Sequence, residues 1–259
     1  MMSDSTKNNA TTANIIRQQK QLLRKQIRSR VRSVYPSPSS ASSTSDNNTD
    51  IEKINAAKLK LTTQSNQVFH QLFQLPQYQS ASSIGFFLSM PHGEIQTRDA
   101  IQRMVGQDGK TLYVPRVGLD FELCDMDLVR CDISSSSTTT TTFDASSSSS
   151  RLFYDNWPTN KWGIPEPPSS NTNIATPGDI DLLIVPGLAF DSNLHRLGQG
   201  KGYYDRFIAK MKNGETDADK KKLLLVGVCL DEQFLEEESI PVSDHDFIMD
   251  MVLTPSKKL

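Results

Sequence analysis

At 259 residues with a formal net charge of −2, the chain is long enough for a sizeable core and has no global basic field to recruit nucleic acid or an anionic membrane. No apolar run is long enough to cross a bilayer. Three cysteines, Cys124, Cys131 and Cys229, form no CxxC pair, so buried thiols in a reducing compartment are the expectation.

Ile15, Ile16, Leu23, Ile27, Val31 and Val34 follow helical spacing and predict a helix that stops before Pro36. Residues 5–45 contain no Asp or Glu, while Lys7, Arg17, Lys20, Arg24, Lys25, Arg28, Arg30 and Arg32 are basic. That composition fits a mitochondrial presequence or a basic surface helix of the working protein. The surface helix is the expectation, with a short presequence ending before Thr12 left open. Residues 37–48 read as a flexible linker. Thr49 and Glu52 have capping-box spacing and open a helix to about Phe73. Strands are expected at 83–88 and 112–114, separated by a helix that Thr97 begins and Gly106 ends. A further strand-like pattern spans 123–131. The insert 134–150, SSSSTTTTTFDASSSSS, is too polar to pack a core. A strand at 181–185, a helix at 203–211, a charged loop and a strand at 223–229 complete the pattern. Strands alternating with helices argue for an open α/β sheet with helices on its faces and ligands beyond the strands' carboxyl ends.

The stretch from 181 to 207 says most about function. DLLIVPGLAFD (181–191) reads as a buried strand broken by Pro186 and Gly187. RLGQGKGYYDRF (196–207) alternates Gly198, Gly200 and Gly202 with Gln199 and Lys201, then enters a helix. Glycines let backbone N–H groups approach a ligand, and a helix N-terminus favours negative charge. Arg196 and Lys201 add cations, and Asp205 adds a hard oxygen ligand. These features suit a polyphosphate with Mg²⁺. The spacing is neither a Walker A loop nor the dinucleotide fingerprint, and a tight strand-to-helix connection would use the same residues.

VPGLAFD and RLGQGKGYYDRF resemble the signature of the 5-formyltetrahydrofolate cyclo-ligase family, also called methenyltetrahydrofolate synthetase. Further similarities fall in the family's order: KQLLRKQIRSR (20–30), IGFFLSMPHGEIQT (84–97), YVPRV (113–117), KWGIPEP (161–167) and SDHDFIMDMVLT (243–254). The resemblance implies one layered α/β domain over 1–259, similar to the NagB/RpiA-type fold, with helices on both faces and flexible inserts at 37–48 and 134–150.

It also implies the site. Lys20, Arg24, Arg196, Leu197, Gly198, Gln199, Gly200, Lys201, Gly202, Tyr203 and Tyr204 would bind ATP, with Arg196 and Lys201 catalytic. Arg24, Leu88, Glu94, Trp162 and Tyr204 would bind the folate, Glu94 accepting hydrogen bonds from pterin N–H groups. Asp205 and Asp246 would hold Mg²⁺, which needs only one or two carboxylates beside phosphate oxygens and water. From the residues alone, Lys20 and Arg24 share a helical face that is ordinarily just solvated, and Trp162 could cover the core instead of stacking on a ligand. No histidine has metal-ligand spacing. Gln199 occupies a position that varies in the family. Leu194 stands where the family usually has Gly, which bears on the turn before Arg196.

The implied reaction is ATP-dependent conversion of 5-formyltetrahydrofolate to 5,10-methenyltetrahydrofolate with release of ADP and phosphate. The implied protein is a monomer with small-molecule partners, in the cytoplasm, mitochondrial location being the alternative. The competing functional reading is a non-catalytic folate- or nucleotide-binding protein on the same fold.

Overall fold

This computed structural model describes residues 4–36, 47–118, 125–131, 152–213, 222–237 and 239–259. The chain opens with two long helices, α1 (Asp4–Val34) and α2 (Asn47–Gln74), and a short one, α3 (Pro76–Ser80). Next come β1 (Ser83–Gly85), α4 (Arg98–Gly106), β2 (Thr111–Val117) and β3 (Met126–Arg130). Then follow β4 (Leu182–Pro186), β5 (Ala189–Asp191), β6 (Arg196–Leu197) and α5 (Tyr203–Asn213). The last strands are β7 (Leu224–Val228), β8 (Phe234–Leu235) and β9 (Met251–Leu253).

Six strands make one sheet in the order β3-β2-β1-β4-β7-β9, parallel except for the antiparallel edge strand β3. Alternation along β4 produces the layers, because successive side chains point to opposite faces. Leu182 and Ile184 join a core built with Leu23 and Ile27 of α1 and Val68 and Leu72 of α2. Leu183 and Val185 pack with Phe207 and Ile208 of α5 on the other face. A strand buried on both sides reads as a continuous apolar run, and LLIV is one. The expected α/β sheet with helices on both faces is what the chain forms.

Several boundaries differ from the sequence reading. α1 begins at Asp4, well before the first periodic apolar residue, Ile15. α2 begins at Asn47, so Thr49 and Glu52 lie inside the helix and are not its cap. Asn47 and Asn48 are therefore helical, not linker. The rest of that segment, 37–46, and the insert 134–150 lie outside the described residues. β1 ends at Gly85, not 88, although the Phe86 N–H still reaches Tyr113 O at 2.8 Å. β2 is longer than expected at both ends. Thr97 precedes α4 as expected, but its hydroxyl bonds Ser89, not the helix N-terminus. A second, three-stranded sheet, β6-β5-β8, was not anticipated. Cys131 and Cys229 are buried, as expected, and Cys124 lies outside the described residues.

Candidate active site

A cavity of about 1060 Å³ opens at the carboxyl ends of β2 and β4, where Val117 and Pro186 form part of its wall. That is the expected position for a ligand in an open α/β sheet. Every residue assigned to the site from sequence lines it, from Lys20 on α1 to Asp246 near the C-terminus.

The glycine loop is built from its preceding turn. Asp191 is fully buried at the end of β5. Its Oδ1 accepts the backbone N–H groups of Asn193 and His195, each at 2.9 Å. Its Oδ2 accepts the Ile240 N–H at 2.8 Å and lies 3.0 Å from His195 Nδ1. The chain turns around this carboxylate and delivers Arg196 into the cavity wall. Leu194 closes the turn at φ 63, the one positive-φ non-glycine among the described residues. The position that resembles a family glycine thus demands glycine's conformation, and leucine adopts it here.

Arg196 is nine-tenths buried. One of its terminal nitrogens donates to both oxygens of Asp205 at 2.8 Å, and the other to Pro186 O at 3.4 Å. The guanidinium lies 5.6 Å from the centre of the Tyr204 ring. Arg196 Nε is the only buried side-chain polar atom without a partner among the described residues. An unpaired donor in a dry setting is costly unless something reaches it.

α1 lies across the loop. Arg24 Nε donates to Gly198 O at 2.9 Å, and a Cβ added at Gly200, which has φ +101, would come within 3.2 Å of the Arg24 guanidinium. Glycine is favoured at 200 by its backbone conformation, and a side chain there would also press on the Arg24 guanidinium. One turn further along α1, Arg28 donates to Gln199 Oε1 at 2.8 Å. Burial, followed by the repulsion of Arg28, lowers the Arg24 pKa. Lys201 meets no acidic partner among the described residues and is exposed at the cavity. Cations outnumber carboxylates along the lining, so the cavity favours an anion.

The rest of the lining includes apolar side chains with a few polar groups among them. Leu88 is buried, and Glu94 sits four residues past Met90, whose N–H donates to Glu94 Oε2 at 2.8 Å. Burial pushes the Glu94 carboxyl up to about 7 despite that bond. Burial and the nearby charge of Glu94 raise the Tyr204 phenol well above its ordinary value. Trp162 stands at the mouth on a short hairpin, with the Lys161 ammonium 4.6 Å from its ring centre. Asn160 and Glu166 brace that hairpin at 3.0 Å and also line the cavity.

Asp205 and Asp246 both line the cavity, each already paired with a cation: Arg196 for Asp205, Lys20 for Asp246. Burial would raise the Asp246 carboxyl, but Lys20 and the donors of Ser243 outweigh it and hold it below the usual carboxylate range. No cluster of three or more metal-ligating side chains exists among the described residues. Two hard carboxylates beside a cation-rich glycine loop still fit Mg²⁺, which needs only one or two carboxylates when other oxygens fill its remaining positions.

Sequence reasoning missed Arg28, Asn160, Glu166 and Ser243. It also assigned no histidine, yet His92 and His245 line the cavity. Arg28 had a usable signal, lying one turn after Arg24 on the same helical face, and Glu166 and Ser243 fall within the family-like segments 161–167 and 243–254.

Fold and cavity together define an α/β protein with a cation-rich glycine loop in the lining of one large cavity. Residues 16–255 match the family model described as the 5-formyltetrahydrofolate cyclo-ligase family. A probable 5-formyltetrahydrofolate cyclo-ligase of Schizosaccharomyces pombe is 31% identical over 199 residues, covering 76% of this chain and 86% of its own. A 5-formyltetrahydrofolate cyclo-ligase of Mus musculus is 31% identical over 179 residues, covering 68% and 75%. An NMR structure of Aquifex aeolicus 5,10-methenyltetrahydrofolate synthetase superposes with a TM-score of 0.59 at 22% identity, covering 92% of this chain and 91% of that one. The chain belongs to the 5-formyltetrahydrofolate cyclo-ligase family.

Proposed function

We propose that the chain catalyses ATP-dependent conversion of 5-formyltetrahydrofolate to 5,10-methenyltetrahydrofolate, releasing ADP and phosphate. The observation that carries this reading is one cavity whose lining combines two unlike sets of residues. A glycine loop beside Lys20, Arg24, Arg196 and Lys201 suits a nucleotide phosphate chain, and Leu88, Glu94, Trp162 and Tyr204 suit a flat heterocycle bearing N–H donors.

A formyl amide is a poor electrophile and its oxygen a poor leaving group. Moving the γ-phosphoryl group onto that oxygen forms a P–O bond, breaks the bond to the β-phosphate and frees ADP. The neighbouring folate amine then attacks the activated carbon and gives up its proton to solvent. The C–O bond breaks as phosphate departs. Such chemistry needs positioning and charge neutralisation, not a protein nucleophile. Arg196 and Lys201 stabilise charge on the transferring group, Lys20 and Arg24 hold the phosphate chain, and Glu94 orients the pterin. Asp205 and Asp246 would hold Mg²⁺, which offsets phosphate charge when bound.

We further propose that 1–259 works as one domain and as a monomer in the cytoplasm. Lys20 and Arg24 support the expectation that α1 belongs to the working protein, because removing them would strip the cavity of two cations. Among the described residues no helix is long and apolar enough to cross a membrane. The decisive experiment follows methenyl product by absorbance with and without Mg·ATP. Product that appears only with ATP is expected. Binding of 5-formyltetrahydrofolate without product would leave only the binding-protein reading.

A further inference from the structure

Asp246 is gripped on one side only. Its Oδ2 accepts the Ser243 N–H at 2.6 Å, the Ser243 hydroxyl at 2.9 Å and the Lys20 ammonium. The Asp246 N–H donates back to Ser243 O at 3.0 Å, so residues 243–246 close a turn around the carboxylate. Oδ1 has no donor among the described residues. Nor is it buried, since Arg196 Nε is the only buried side-chain polar atom there without a partner. Three donors on one oxygen and none on the other decide which oxygen an incoming ligand meets.

We propose that Ser243 is a positioning residue for the reaction, fixing Asp246 so that Oδ1 is presented to a divalent cation that arrives with the nucleotide phosphates. The inference rests on the Mg²⁺ assignment proposed above. Hydrogen bonds to the non-ligating oxygen orient a carboxylate and set its strength as a ligand. Lys20 is a cation lining the same cavity, so an incoming anion competes with Asp246 for it. Ser243 keeps its hold, because its hydroxyl and N–H belong to the same tight turn as Asp246. Asp205 contrasts with this, since both its oxygens face a single Arg196 nitrogen. Of the two carboxylates, Asp246 is the one with an oxygen held open.

The test is Mn²⁺ binding to the full chain with a non-hydrolysable ATP analogue, read by electron paramagnetic resonance beside the Mg²⁺ dependence of product formation. Ser243→Ala should weaken Mn²⁺ about tenfold and raise the Mg²⁺ required for half-maximal rate by a similar factor. Excess Mg²⁺ should restore most of the rate, and the folate KM and thermal midpoint should hold. Ser243→Thr, which keeps the hydroxyl, should behave like the parent. Asp246→Asn separates the two layers of the reading. If it leaves Mn²⁺ binding intact, the metal assignment fails and this inference with it. If Asp246→Asn loses Mn²⁺ while Ser243→Ala does not, the metal assignment stands and the role of Ser243 is overturned. A Ser243→Ala defect that Thr does not rescue, accompanied by a lower thermal midpoint, would make the residue merely structural and also overturn it.

Discussion

Glu94 bears the cost of facing an apolar wall. Burial raises its carboxyl from an ordinary 4.5 to about 7, with only the Met90 N–H opposing the shift. Between those values the folded chain keeps a proton that the unfolded chain has released. Stability contributed by the protonated form is therefore complete below the lower value and lost as pH rises through the upper one. Glu94→Gln keeps an acceptor for Met90 but does not titrate. The variant should melt like the parent at the acid end of this window and above it at the alkaline end, when thermal midpoints are followed across the window without ligand. A constant difference between the two proteins would show that Glu94 does not titrate there. The same variant should lose about one to two decades of folate affinity, as expected for a hydrogen bond to a charged group worth ~1.5–3 kcal/mol, with ATP affinity held. Stability and recognition would then pull in opposite directions at one residue.

The turn joining β5 to β6 shows strain of a different kind at the element scale. An L-residue in the left-handed region loses about 1–2 kcal/mol, and Leu194 sits there at φ 63. Its side chain packs against the core that Phe207 and Ile208 share, and this offsets part of the loss. Leu194→Gly relieves the strain but gives up that packing and adds unfolded-chain entropy. The net change should stay within about 1 kcal/mol by urea unfolding, whereas Leu182→Ala, at a fully buried site, should cost about 2–5 kcal/mol. A Leu194→Gly loss as large as that of Leu182→Ala would mean the turn is unstrained. Elements of this length also explain what the sequence concealed. β4 and α5 were legible because apolar runs and helical spacing extend over enough residues to show a period. β5, β6 and β8 are two or three residues long and show none. Thr49 and Glu52 mimic a cap because that spacing also occurs within a helix. The site residues were legible where they cluster in a motif, as from Arg196 to Asp205. Arg28 and Gln199 meet across 171 positions, and nothing local records such a contact.

Across the whole molecule, the two ends of the main sheet have different surroundings. β2 and β4 bring Val117 and Pro186 to the cavity. β3 runs the other way, pairing Met126 with Val117 and Arg130 with Tyr113, so its start lines the cavity and its finish lies at the far end of the sheet. The chain that returns from residue 152 is fastened along this outer strand. The Arg130 N–H reaches Asn173 O and the Ala175 N–H reaches Leu128 O, both at 2.8 Å. The Ser/Thr-rich stretch 134–150 lies outside the described residues. Its sequence lacks the apolar residues that would offset the entropy of ordering it. Replacing 134–150 with a short Gly/Ser link should shift unfolding free energy by no more than about 0.5 kcal/mol, the range of ordinary surface changes. KM for both ATP and 5-formyltetrahydrofolate should be unchanged. A folded variant with impaired turnover would mean that this stretch contributes to the cavity. A variant that cannot fold would mean it contains part of the core.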